Sequence, residues 1–126
     1  MPQNPETRVQ NAGLLELGAR PDVLAWRVQV GAFRSMDDPG RIVRIGRPGM
    51  ADVGAVVAVT ITPDMVGQTI GVAASIEFKT ARGRQTEAQA AWERAFRSRG
   101  GVYALVRDPA EIPALVASIQ AGQPWR

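Results

Sequence analysis

The stretch Ala74-Ser75-Ile76-Glu77-Phe78-Lys79-Thr80 decides how the rest of the chain is read. Along an extended strand, side chains alternate between faces. Ala74, Ile76 and Phe78, preceded by Ile70 and Val72, therefore line one side, and Ser75, Glu77 and Lys79, preceded by Thr69, Gly71 and Ala73, line the other. One side is apolar throughout. The other is small or polar and ends in a carboxylate and an ammonium two residues apart, projecting the same way. The plain reading of such a pair is an ion pair along a half-exposed strand. Composition sharpens it, because among fifteen Lys and Arg residues Lys79 is the one lysine. A guanidinium stays charged at any usable pH, whereas an ammonium can be tuned by its surroundings.

E-x-K at a strand end is also the pattern of a metal-dependent nuclease site, and the chain's composition suits such chemistry. With no Cys and no His, zinc fingers, His-based triads and thiol catalysis drop out. A metal would have to be held by oxygen, which favours Mg²⁺ or Mn²⁺. The net charge of +3 and pI near 10.5 fit a polyanionic partner. At 126 residues the chain predicts one domain, 1–126, with a single core. Its longest apolar runs are too short to span a bilayer. The opening MPQNPETR lacks a basic start followed by an apolar run, so a cytoplasmic protein is expected.

Upstream of the E-x-K strand, Asp52 opens a Val- and Ala-rich run to Ile61 that predicts a central strand. A connection through Thr62-Pro63-Asp64 and Gly67 leads to a strand over 69–79, and the short link predicts an antiparallel pair. In such a pair the start of one strand lies beside the end of the other, so Asp52 would sit near Glu77 and Lys79. The competing role for Asp52 is to cap the Pro48-Gly49 turn. Farther upstream, alternation over Val23 to Val30 predicts a half-buried strand. Gly31 to Gly40 reads as loop and Arg41 to Ile45 as a short strand, with Arg34, Arg41, Arg44 and Arg47 crowding this region.

At the start, Asn4-Pro5-Glu6 predicts a capped helix to about Leu17, with Val9, Ala12, Gly13 and Leu17 on its apolar side, widened by Leu14 and Leu15. Downstream, Arg82-Gly83-Arg84 forms a basic turn. Thr86-Glu87-Ala88-Gln89 is a capping box opening a helix whose apolar stripe is Ala88, Ala91, Trp92, Ala95 and Phe96. Gln89 can complete that box or serve a site. Arg94, Arg97 and Arg99 read as a solvated helix face. Val102 to Val106 predicts a strand, and Asp108-Pro109 a helix start leading to Ile112, Leu115, Val116 and Ile119. Trp125 belongs to a tail that could dock on the body or on a second subunit. The order α-β-β-β-β-α-β-α predicts an α/β fold with a mixed central β-sheet flanked by helices.

With these pieces in place, the chain resembles the VRR-NUC family of the PD-(D/E)xK nuclease superfamily, in its small stand-alone phage and bacterial form. The likeness is carried by Glu6 to Gln10, "WRVQVGAFR" from Trp26, "GRPGMADVG" from Gly46, "IEFKTARGRQTEAQ" from Ile76 and "GGVYALVRDPAE" from Gly100. This chain departs from the family in having Phe78 where an aliphatic residue is expected, and Arg27-Val28-Gln29 where "RNN" is expected. The resemblance implies a restriction-endonuclease-like sheet in which Asp52, Glu77 and the Phe78 carbonyl bind a divalent cation. Lys79 would then orient the attacking water and Gln89 would support it. Glu6 looks like the family's additional acid, with Glu16 as the alternative.

The reaction this implies is Mg²⁺-dependent hydrolysis of DNA phosphodiester bonds, Mn²⁺ substituting for Mg²⁺. The expected substrate is branched DNA, a four-way junction or a flap, and the expected enzyme is a homodimer in a bacterial or phage-infected cell. Arg34, Arg41, Arg44, Arg47, Arg82 and Arg84 are expected phosphate contacts. No membrane and no nucleotide cofactor are expected. The competing expectation is a non-enzymatic, Arg-rich nucleic-acid-binding module on the same fold. A restriction-type enzyme with base readout is a third, weakened by the lack of room for a recognition domain.

Overall fold

The computed structural model describes residues 4–122; Trp125 and the rest of the predicted tail lie outside the described residues. Among the described residues there are three α-helices and six β-strands, and the chain divides into two compact units, Met1–Ala55 and Val56–Arg126.

In the first unit, helix α1 (Pro5–Gly18) starts as its sequence predicts. Asn4 accepts a hydrogen bond from the Glu6 N–H at 2.8 Å, and Pro5 occupies the first turn, where its missing donor costs nothing. Its inner face differs from the predicted apolar stripe. Thr7, Gln10, Asn11, Leu14 and Leu17 are half-buried, while Val9 and Leu15 are exposed. The helix packs on strand β1 (Val23–Arg27), and the Arg27 guanidinium donates to the Asn11 side chain, which turns that mixed face inward.

Strand β1 pairs with β4 (Val53–Val57), and the Val28 N–H extends the ladder to the Asp52 carbonyl at 2.9 Å. A Cβ on Gly54 would come within 2.9 Å of the Trp26 indole, so the ring lies where only glycine leaves room. Residues 31–34, predicted as loop, instead form strand β2 (Gly31–Arg34), antiparallel to β3 (Ile42–Ile45). The turn between them is closed by Ser35 N–H to the Arg41 carbonyl and Arg41 N–H to the Asp38 carbonyl, both 2.9 Å. Register places Arg34 and Arg44 on one side of this hairpin and Phe33 and Val43 on the other.

The second unit is built on a β-α-β turn of chain. Strand β5 (Ala74–Phe78) and strand β6 (Val102–Val106) run parallel, joined by α2 (Glu87–Ser98), the connection that parallel strands require. Register pairs Ser75 with Tyr103 and Glu77 with Leu105 on one face, and Ile76 with Ala104 and Phe78 with Val106 on the other. Helix α2 covers the first face through Trp92, whose indole N–H donates to the Ser75 hydroxyl at 2.9 Å.

Helix α3 (Ile112–Gln120), preceded by an Asp108-capped 3-10 turn, covers the second face. There Leu115, Ile112 and Ile119 pack on Ala104 and Val106, at the positions the helical spacing predicts. Burying a side chain such as Leu115 contributes about 1.5–3 kcal/mol, which makes this the anchor of the unit. Gly100 (φ +85°) reverses the chain after α2, and Gly101 lies so close to the Phe96 ring that a Cβ would come within 2.5 Å of it.

The α/β class predicted from the element order is present, but the pairing differs. The predicted antiparallel pair of β4 with β5 is not formed. Strand β4 pairs with β1 and β5 with β6, so that, with β2–β3, the described residues form three two-stranded ladders in place of one mixed sheet. Both strands are also shorter than the predicted 52–61 and 69–79. The reason is the connection from Val57 to Ala74. It is far longer than a hairpin turn and carries a 3-10 turn at Pro63–Met65, so proximity in sequence does not enforce pairing.

Candidate active site

The polar face of β5 and the first turn of α2 bring three of the predicted site residues together. Glu77 and Lys79 project from the same side of the strand, with Lys79 Nζ 3.5 Å from Glu77 Oε1. Gln89 Nε2 donates to the same oxygen at 2.7 Å. Gln89 also completes the capping box, one of the two roles the sequence leaves open to it. Its Oε1 accepts from the Thr86 N–H at 2.9 Å while the Thr86 hydroxyl accepts from the Gln89 N–H at 3.1 Å, completing the capping box. The amide nitrogen is thereby left pointing at the strand. A helix cap thus orients a carboxylate, and Glu77 Oε2 has no hydrogen-bond partner among the described residues. The Lys79 and Glu77 side chains are 20% and 27% exposed, sheltered enough to strengthen their interaction yet open to solvent on one side.

Beside this cluster runs a polar network that sequence reading missed. Gln85 Nε2 donates to Glu93 Oε1 at 2.8 Å and to the Tyr103 hydroxyl at 3.2 Å. Arg97 Nε donates to Glu93 Oε2 at 2.8 Å, and Arg97 Nη2 to the Tyr103 carbonyl at 2.9 Å. The Gln85 hydrogen bond, and then Arg97, hold the Glu93 carboxyl below its ordinary value. Arg97, read from sequence as part of a solvated face, therefore fastens α2 to β6. The inner face of α2 is rotated accordingly: Gln89, Trp92, Glu93 and Phe96 face the strands, while Ala88 and Ala91 are exposed. The strand face beneath carries Ser75, Glu77 and Tyr103, so a helix with polar partners fits it better than an alanine stripe.

Asp52, Glu6 and Glu16 lie in the first unit and are all exposed, Asp52 just before β4 and the two glutamates on α1. The sequence argument that set Asp52 beside Glu77 rested on the β4–β5 hairpin, and that support falls with the hairpin. Among the described residues no three acidic side chains gather into a group able to hold a metal ion. Of the predicted phosphate contacts, Arg34 and Arg44 share one side of the β2–β3 hairpin. Arg41 lies in its turn and Arg47 in the turn after β3. Arg82 and Arg84 flank Gly83 in the second unit, in the loop just beyond Lys79.

One further cation stands here without a role in the sequence reading. Arg107 Nη1 donates to the carbonyls of Thr80 and Gly83 at 2.6 and 2.7 Å, tying the basic loop to the end of β6. The signal that could have found it is the β-α-β order itself, since parallel strands joined by a helix end on the same edge.

No family model, curated protein or solved structure matches the chain. The likeness to the VRR-NUC family therefore rests on the quoted motifs alone. The donor chemistry at Glu77 is compatible with the cation that likeness implies. Mg²⁺ takes one or two protein carboxylates and completes its shell with waters and substrate phosphate, and Glu77 offers a carboxylate with one oxygen uncommitted.

Proposed function

We propose that this chain is a Mg²⁺-dependent endonuclease that hydrolyses phosphodiester bonds in branched DNA, a four-way junction or a flap, with Mn²⁺ able to replace Mg²⁺. The observation that carries the reading is the convergence of Lys79 and Gln89 on one oxygen of Glu77, with the other oxygen left open. Glu77 Oε2 and the Phe78 carbonyl are the proposed cation donors of the second unit. Asp52 is the second carboxylate by resemblance alone, and Glu6 the additional acid on the same basis.

A divalent cation held there would lower the pKa of a bound water and offset the charge that builds on the phosphate. Lys79 donates toward the attacking water or the phosphate oxygen, placing positive charge where negative charge develops. Gln89 keeps the Glu77 carboxylate from rotating, so the open oxygen stays aimed without reorganisation during the reaction. The loop arginines Arg82 and Arg84, with Arg34, Arg41, Arg44 and Arg47, position the backbone of the DNA and supply no sequence information. Two-fold pairing of such a small enzyme would suit a substrate with two-fold character, and a bacterial or phage-infected cytoplasm would supply it.

A second reading is favoured by one observation: Glu77 Oε1 is already satisfied within the chain, as in a purely structural ion pair. On that reading the protein is an Arg-rich nucleic-acid-binding module. Incubating the wild-type chain with linear, flap and four-way DNA, in Mg²⁺ and in EDTA, separates the two. The nuclease reading expects Mg²⁺-dependent cuts near the branch point, and binding with no cuts in any metal contradicts it.

A further inference from the structure

Strands β5 and β6 end side by side, and beyond the carboxyl ends of parallel strands is where open α/β units hold ligands. At that edge a cleft of about 390 Å³ is lined by Phe78, Lys79, Thr80, Arg107, Asp108 and Pro109, within the size range of small-ligand sites. Two of its walls are unusual. Phe78 is 63% exposed, a large aromatic face left in solvent. Arg107 is held by one nitrogen through its two carbonyl contacts, and its Nε and Nη2 have no partner among the described residues. A guanidinium already fixed in place loses little freedom when it binds an anion. Asp108, whose carboxylate accepts from the Ala110 N–H at 3.0 Å, is also a lining residue and places a negative charge nearby. It disfavours a bare anion and favours a ligand that brings a flat apolar face along with its charge.

We propose that this cleft takes one unpaired nucleotide of a DNA strand, its base stacked on the Phe78 ring and its phosphate on Arg107. Only an unpaired base has a face free for an aromatic side chain, which is how single-stranded nucleic acids are commonly gripped. Lys79 lines the cleft and also contacts Glu77, so the cleft at the strand end adjoins the proposed reaction centre although Phe78 and Glu77 project from opposite faces of β5. The inference rests on the nuclease reading and narrows its substrate to DNA with a single-stranded segment next to the cut.

The test is binding without Mg²⁺, in EDTA, so that it does not depend on turnover. A flap DNA carrying 2-aminopurine at the first unpaired position is titrated with wild type, Phe78→Ala and Phe78→Trp, alongside a blunt duplex and a flap that is abasic at that position. The expected result is fluorescence quenching by wild type and by Phe78→Trp. Phe78→Ala should bind the flap on the order of 10-fold more weakly, with unchanged duplex affinity. The abasic flap should bind wild type as weakly as the normal flap binds Phe78→Ala. Equal flap affinity for wild type and Phe78→Ala would overturn the proposal. So would an equal loss on duplex, or a change in oligomeric state in place of a change in binding. Quenching by a wild type that cuts nothing in Mg²⁺ would sink the nuclease reading and leave the nucleotide cleft standing.

Discussion

The two units spend their apolar residues differently. Among the described residues, Val23 is the buried hydrophobic side chain of the first unit, while Val56, Phe96, Tyr103, Ala104, Val106 and Leu115 are all buried in the second. The β2–β3 hairpin of the first unit leaves Phe33, Ile42 and Ile45 exposed and presents Arg34 and Arg44. The second unit clamps its two parallel strands between α2 and α3 and fixes Glu77, Lys79 and Gln89 to within hydrogen-bonding or ion-pair distance. Chemistry needs groups held in place, and a rigid support supplies that. Charge that merely positions a polyanion tolerates a looser one. On the proposed nuclease reading, turnover belongs to the second unit and a graded share of DNA affinity to the first.

The largest effect should follow Lys79→Met. It removes the one ammonium of the cluster and should lower single-turnover cleavage by about 10²–10⁴-fold, within the range for losing a positioned transition-state or proton-transfer group. DNA affinity should change only a few-fold in a gel-shift titration. A smaller effect separates the two jobs of Gln89. Thr86→Ala breaks the cap and should cost about 1 kcal/mol of stability in a urea melt. Gln89→Ala should cost a similar amount and, in addition, slow cleavage through the freed Glu77 carboxylate. Equal cleavage rates for the two variants would show that the Gln89–Glu77 contact is structural.

Glu93→Gln probes the clamp itself. Because Gln85 and Arg97 hold the Glu93 carboxyl below its ordinary 4.5, its folded value lies below its unfolded one. Its stabilisation is then fully present above pH 4.5 and is lost as pH falls through the folded value. The stability difference between wild type and Glu93→Gln in urea should therefore shrink as pH is lowered from neutral through the acid range. A constant difference would deny the ionised carboxylate its role. The smallest effect should come from Arg34→Gln and Arg44→Gln together, a few-fold loss of DNA affinity and a shallower dependence on salt, with the single-turnover rate at saturation unchanged. A lost rate in that variant would erase the contrast between the units.

Local signals were the legible ones. Asn4-Pro5, Thr86 to Gln89 and Asp108-Pro109 each name a helix start because the capping groups are adjacent in sequence; the first two form as read, and Asp108-Pro109 opens a 3-10 turn that leads into α3 at Ile112. The Glu77–Lys79 pair was legible because strand alternation is local too. Strand β2 was missed because Gly31 and a four-residue length look like loop, and only its register with β3 makes it a strand. The β4–β5 pairing failed for the opposite reason: which strands pair is decided by partners distant in sequence, and β5 takes β6 across α2. The rotation of α2 and the role of Arg107 depend on what lies opposite them, which no periodicity within one segment reveals.

The central claim, that Glu77 is the carboxylate on which cleavage depends, meets its most direct test in single-turnover cleavage of flap and four-way DNA by wild type and Glu77→Gln in Mg²⁺. The substitution keeps the side chain's size and a carbonyl oxygen for Gln89 while removing the charge. Wild-type cutting with none by a folded, DNA-binding Glu77→Gln is the predicted result; cutting by both at the same rate would contradict it.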